Sequence, residues 1–165
     1  MPSIEIRDAL PSEYDEVGQI TVLGYKAHSF PDYEATLRDV ATRSKSADII
    51  VATMDGVIVG AAAYVHKGGA YEDVAFGPTE AEFRMLTVSD AARGHGIGAA
   101  LSQECIGRAR RDGRTHVVIS VAPANHPAER IYARLGFVRE PSRDWVAPDG
   151  FELNCWVLDL SMVAA

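Results

Sequence analysis

The sequence predicts one α/β domain built on a mixed sheet with helices packed against it. Three observations carry that prediction. Residues 82–112 read as a strand, a glycine-rich loop and a helix in succession. Residues 116–121 follow as an almost unbroken apolar run, the pattern of a strand buried on both faces, so the two strands and the helix between them form a parallel βαβ unit. Asp55-Gly56, between two apolar stretches, marks a tight antiparallel hairpin.

Size and composition bound the rest. A chain of 165 residues without repeats, low-complexity stretches or linkers predicts a single domain over residues 1–165. Hydrophobic residues at 47% and charged residues at 24% are ordinary for a soluble globular protein. No apolar run approaches a membrane span and the N-terminus lacks a signal-peptide pattern, so the expectation is a cytoplasmic protein with no membrane partner. Two cysteines, Cys105 and Cys155, do not make a disulfide framework. The net charge of −7, from 16 basic and 23 acidic residues, argues against nucleic-acid binding. It also means that any polyanionic ligand must be attracted locally.

In chain order, Ile4 and Ile6 alternate with Glu5 and Arg7 as a short first strand. Pro11 suits a first helical position, with Glu13, Asp15 and Glu16 in the opening turns. A second helix is expected from about Pro31, carrying Tyr33, Leu37, Val40 and Ala41. Tyr25, His28, Phe30 and Tyr33 cluster at the joint of the two helices. Core packing explains most such aromatics, and one or two are free to face a substrate. Residues 48–53 and 57–64 form the hairpin strands, the latter with three small residues, Ala61, Ala62 and Ala63. Residues 66–78 are a loop broken by Gly68, Gly69, Gly77 and Pro78; with Tyr71, Glu72 and Asp73 it is either a substrate-selecting segment or a solvated one. Phe83 to Val88 is a strand. From Ile97 the apolar residues Ala100, Leu101, Cys105 and Ala109 recur at helical spacing, with Arg108, Arg110 and Arg111 near the end and Gly113 as the stop. Pro127 opens another helix, which Gly136 closes. Phe137-Val138 and residues 151–160 are the last strands, separated by a loop carrying Arg143, Asp144 and Trp145, which either closes over a pocket or only packs.

The chemistry concentrates at Arg93-Gly94-His95-Gly96-Ile97-Gly98, between a strand and a helix N-terminus. Glycines there let main chain approach a ligand, and the helix start offers unpaired N–H groups and a positive dipole end, a setting for phosphate or pyrophosphate. A Walker loop is excluded, because no Gly-Lys-Ser/Thr follows. The loose dinucleotide pattern is met by Gly94-His95-Gly96-Ile97-Gly98-Ala99. The acid expected at the tip of the next strand is absent, since residues 117–122 end in Ser-Val-Ala. A nucleotide-binding oxidoreductase is thereby disfavoured.

Arg93-x-x-Gly96-x-Gly98 after Leu86-Thr87-Val88, followed by Asn125-x-x-Ala128-x-x-x-Tyr132-x-x-x-Gly136-Phe137, resembles the GNAT superfamily of acyl-CoA-dependent N-acyltransferases. The resemblance implies a three-layer fold with a mixed, mostly antiparallel sheet of six or seven strands flanked by helices. It implies an N-acetyltransferase moving an acetyl group from acetyl-CoA to a primary amine of a small molecule or peptide, or, as the alternative, a non-catalytic acyl-CoA sensor of the same fold. The backbone of Leu86, Thr87 and Val88 is then expected to pair with the pantetheine arm, with the Val88 N–H as oxyanion donor. Arg93, Gly94, His95, Gly96, Ile97 and Gly98 are expected to hold the pyrophosphate, and Asn125 to contact the cofactor. A homodimer through sheet edges is compatible with the family.

Tyr132 is the candidate general acid, since a phenol with a pKa near 10 suits donation to a thiolate. It also belongs to an apolar stripe with Ala128, Ile131 and Leu135, the pattern of a packed core tyrosine. Asn125 is equally placed to cap the helix ahead of Pro127. Glu82 is the candidate base acting through water, with Glu80 as competitor. Strict alternation would put Glu82, Arg84 and Leu86 on one face. The five histidines lack metal-ligand spacing, so no metal is expected. Neither cysteine has an evident base, so transfer is expected to be direct.

Overall fold

The computed structural model describes residues 1–25, 33–65, 77–147 and 150–162. His28, Phe30, Pro31, His66, Tyr71, Glu72 and Asp73 lie outside the described residues. In order, the elements are β1 (Ile4–Asp8), α1 (Tyr14–Tyr25), α2 (Glu34–Arg38), α3 (Val40–Arg43), β2 (Ala47–Met54), β3 (Val57–Val65), β4 (Glu80–Val88), α4 (Ile97–Arg111), β5 (His116–Val121), α5 (His126–Arg134), β6 (Val138–Arg139), β7 (Trp145–Val146) and β8 (Glu152–Asp159). The strands form one sheet in the order β1-β2-β3-β4-β5-β8-β6, with β7 alongside β8. The β4–β5 pair is parallel and every other described pair is antiparallel.

The expected layered fold is present, with three local departures. The second helix is two short helices, because Asp39 leaves helical geometry at φ −83° and ψ 68°, and its Oδ1 accepts from the Thr42 N–H at 3.1 Å to cap α3. Aspartate offers the backbone this alternative to a continuing helix. Pro11 opens a 3₁₀ turn rather than α1 itself. An eighth strand, β7, arises because Trp145 and Val146 pair with Leu153 and Glu152, a two-residue pairing too short for periodicity to reveal.

Alternation along the strands divides the core between two faces. Ile50, Val59, Ala62 and Phe83 meet Ile97, Leu101 and Cys105 of α4 on one side. Ile49, Val51, Ala61 and Ala63 meet Val17 of α1 and Val40 of α3 on the other. The three consecutive alanines are therefore ordinary sheet positions facing both layers. Arg43 is 2% exposed, and it donates to the Thr36 and Leu37 carbonyls at 2.9 and 3.1 Å, satisfying the end of α2.

The closest approach of α1 to β4 depends on Gly24. A Cβ there would stand 1.8 Å from Thr87 Oγ1 and 2.8 Å from Thr87 Cβ. Thr87 in turn donates to the Ile20 carbonyl at 3.2 Å. Gly24→Ala is therefore expected to lever α1 away from β4 and destabilise the fold by about 1–3 kcal/mol, read by denaturant unfolding. An unchanged midpoint would contradict this packing.

At the other end of α1, Arg7 of β1 grips Glu13 with two bonds of 2.9 Å, and Glu13 also accepts from the Leu10 N–H at 2.7 Å. These contacts hold the Glu13 carboxyl at about 2, below its ordinary 4.5. A depressed carboxylate contributes stability above its unfolded value and loses it as pH falls through its folded value. Glu13→Gln should therefore lie below wild type in thermal midpoint at neutral pH, with the gap closing as pH falls from 4.5 toward about 2. A gap constant with pH would reject the assignment.

Candidate active site

The site begins where β4 and β5 part. They pair at Glu80–His116, Ala81–Val117 and Glu82–Val118, and no further, although β4 runs on to Val88 and β5 to Val121. The cause is a bulge in β4. Ala61 faces Thr87 while Ala63 faces Arg84, so Met85 and Leu86 together stand opposite one residue of β3. Met85 takes φ 56°, in the left-handed region, and an extra residue of this kind bends a strand and sharpens its twist. A non-glycine residue held there costs about 1–2 kcal/mol.

The bulge also inverts the alternation. Glu82 and Arg84 lie on the α1 side, where Arg84 Nη2 donates to Tyr33 Oη at 3.0 Å. Thr87 is on the same side, bonded to α1. Leu86 and Val88 pack on the α4 side. The expectation that Glu82, Arg84 and Leu86 share one face is thus corrected: the inserted residue turns Leu86 over. Ser89 N–H donates to the Val59 carbonyl at 2.7 Å, toward β3. Amides alternate between strand edges, so the Val88 N–H and the Leu86 N–H point the other way, into the gap.

The glycine loop lies at the end of this strand. Gly94 and Gly96 adopt φ 85° and 74°, with nothing within 4 Å of a Cβ built on either. Gly96 is the left-handed N-cap of α4. Among the described residues, none of the N–H groups from Gly94 to Ala99 has an acceptor. The first turn of α4 carries no acid, and its last turn carries Arg108, Arg110 and Arg111. This is an anion cradle of backbone N–H groups at a helix start. His95 Nδ1 lies 3.1 Å from the Ala92 carbonyl, and Arg93 Nε is 2.9 Å from Asp90 Oδ1 at the exposed rim. Gly98 is buried, with a Cβ position 3.1 Å from Ile131 Cδ1, which brings α5 against the start of α4.

On α5, Asn125 is the N-cap, its Oδ1 accepting from the Ala128 N–H at 3.3 Å. About two turns on, Tyr132 is 6% exposed and packs edge-on to Phe83 and Phe137, with ring centroids 6.1 and 5.5 Å away. Burial pushes its phenol up, and the nearby Tyr25 and Cys105 add to the shift. No hydrogen-bond partner for the Tyr132 hydroxyl occurs among the described residues.

On the opposite face, Glu82 is 4% exposed and its Oε2 lies 3.8 Å from Arg84 Nη1. Its competitor Glu80 is clasped by Arg143 through bonds of 3.0 and 2.7 Å. The segment around Arg143 is fastened throughout. Asp144 holds Arg139 at 2.7 and 2.9 Å and the Cys155 N–H at 2.8 Å, and Trp145 Nε1 donates to Ser120 Oγ at 2.9 Å. Tyr25, the last residue of α1, is pushed up to about 12 by burial, with the Arg84 charge and the Leu86 N–H working against the shift. Its phenol thus sits against the bulge. Periodicity cannot show this role of Tyr25, because the bulge that brings it there rests on a methionine with no visible turn signature.

Both cysteines are fully buried, and burial pushes both thiols up. Among the described residues no cluster of three potential ligands suits a metal ion, and no helix is long and apolar enough to cross a membrane.

The profile of the acetyltransferase (GNAT) family matches residues 7–137, and the chain belongs to that family. Among solved structures, yncA from Salmonella typhimurium, a putative acetyltransferase with its cofactor acetyl-CoA, superposes with a TM-score of 0.72 at 21% identity, covering 98% of this chain and 96% of its own. A GNAT acetyltransferase from Staphylococcus aureus Mu50 reaches 0.74 at 15% identity, covering 96% and 99%. The ribosomal-protein-alanine N-acetyltransferase from Brucella melitensis reaches 0.70 at 20% identity, covering 94% and 99%. No curated protein sequence matches the chain.

Asn125 has a structural duty whatever else it touches. Asn125→Ala should destabilise the protein by about 0.5–2 kcal/mol through loss of the cap, while Asn125→Asp retains most of the stability. Equal losses in both variants would show that the cap is not the reason.

Proposed function

We propose that this acetyltransferase moves the acetyl group of acetyl-CoA directly onto a primary amine in the gap between β4 and β5. The observation that carries the reading is the Val88 N–H turned into that gap, with a buried carboxylate on one face and a buried phenol on the other. The Gly94–Ala99 amides would receive the pyrophosphate, with Arg93 at the rim. The open edge of Leu86, Thr87 and Val88 would receive the pantetheine arm as an added strand. Asn125, at the start of α5, would contact the cofactor.

In the reaction the neutral amine nitrogen attacks the thioester carbonyl carbon. The Val88 N–H stabilises the oxyanion that forms. The amine proton leaves through water to Glu82, while Glu80 is committed to Arg143. Collapse of the intermediate reforms the carbonyl, breaks the carbon–sulfur bond and releases the CoA thiolate. Tyr132, kept protonated by burial, supplies its proton to that sulfur. Positioning of donor and amine in the gap contributes most, roughly 7–11 kcal/mol, and the acid and base a further factor of about 10²–10⁴ each.

The test is release of free CoA from acetyl-CoA with spermidine, amino acids, kanamycin and an alanine-initiated peptide as acceptors. Turnover with one class identifies the acceptor, and tight acetyl-CoA binding without release in every arm would return the sensor reading. Tyr132→Phe should lower kcat by about 10²–10⁴ while leaving the acetyl-CoA Kd nearly unchanged. Parallel loss of turnover and affinity would remove Tyr132 from the acid role.

A further inference from the structure

We infer that Arg84 is the positioning residue of this site: held by Tyr33 from outside, it keeps the Glu82 carboxylate ionised and aimed. The inference rests on the reading of Glu82 as base and extends it to the residues that govern it. Three features combine. Glu82 is 4% exposed, and an isolated carboxylate so placed would favour its neutral form. Arg84 stands two residues on, on the same face because the bulge begins only after it, with Nη1 3.8 Å from Glu82 Oε2. Arg84 is itself fixed, since Nη2 donates to Tyr33 Oη at 3.0 Å.

A base must be ionised to accept a proton, and it works best when its pKa lies near the working pH. An opposite charge within about 4–6 Å favours the ionised form of a carboxylate. At 3.8 Å the guanidinium is near enough to do so. Glu80, on the same strand face, is bound through both oxygens by Arg143 at 3.0 and 2.7 Å.

The other groups around Glu82 are arranged compatibly. On β4, Glu80 is neutralised by Arg143 from the segment after β6. Tyr33 before α2 holds Arg84, Tyr25 of α1 lies near Arg84, Tyr33 and Arg43, and Arg43 of α3 donates to the end of α2. The register partners of Glu82, Val65 on β3 and Val118 on β5, are apolar. Cys155 on β8 is buried and protonated.

Two measurements test the inference. The first needs no acceptor: a double-mutant cycle of Glu82→Gln and Arg84→Gln in unfolding free energy across pH. The expected coupling is present at neutral pH and vanishes in acid as Glu82 becomes protonated. A coupling that is absent, or constant with pH, overturns the pairing. The second is the pH dependence of acetyl-CoA hydrolysis, with water as the probe acceptor. Arg84→Gln should move the acid limb up by about one pH unit, a tenfold change in the protonation equilibrium, with rates converging at high pH. Arg84→Lys should restore most of the shift, and Tyr33→Phe, the mildest variant, should move the limb in the same direction by less. A uniform rate loss at every pH would reduce Arg84 to a structural residue. If the coupling is found but Glu82→Gln leaves turnover and limb intact, the pair stands, the base reading fails, and the positioning role falls with it.

Discussion

The proposed site depends on the failure of two neighbouring strands to stay together. Parallel strands gain stability from each added backbone pair, and β4 and β5 forgo that gain beyond Glu82 and Val118. The left-handed Met85 is the device that diverts β4. Strain of this kind persists only where packing enforces it. Met85 is 4% exposed, so its side chain is enclosed by the structure that holds its backbone in place. The result is a strand edge whose Val88 N–H is turned away from β3, where an extended ligand can meet it.

The same bulge allots the chemistry to two faces. Before it, Glu82 and Arg84 face α1; after it, Leu86 and Val88 face α4, where Tyr132 packs on Phe83. A base and an acid on opposite faces of an intact sheet would be separated by its backbone. In the proposed reaction the gap removes that separation, so the amine proton can leave toward one face while another proton is delivered to the sulfur from the other.

Around the gap, the supporting contacts are steric and local. Gly24 admits Thr87, Gly60 admits the Thr87 carbonyl and the side chains of Ile97 and Leu101, and Gly98 admits Ile131. Each small residue sits where a helix meets β4 or another helix at the site, so α1, α4 and α5 converge on one stretch of strand. The segment from Arg143 to Trp145, ambiguous as a string, is a strap: Glu80, Arg139, Cys155 and Ser120 each hold part of it.

Much of this was legible in the chain itself. The alternation of the strands, the Asp55-Gly56 turn, the glycine loop ahead of an α4-like periodicity and the Asn125-to-Phe137 pattern determined the layered α/β fold and the family, because each signal is local in sequence. Three things were decided only by tertiary structure. The bulge at Met85 came from packing, since methionine gives no sign of a positive φ, and it overturned the shared face of Glu82 and Leu86. The split of α2 from α3 hung on one aspartate choosing to cap rather than to continue. The difference between Glu80 and Glu82 rested on Arg143, far along the chain, closing on one and leaving the other beside Arg84. Local sequence sets what each segment prefers, and only distant partners decide which contacts a carboxylate makes and which way a strand turns its side chains.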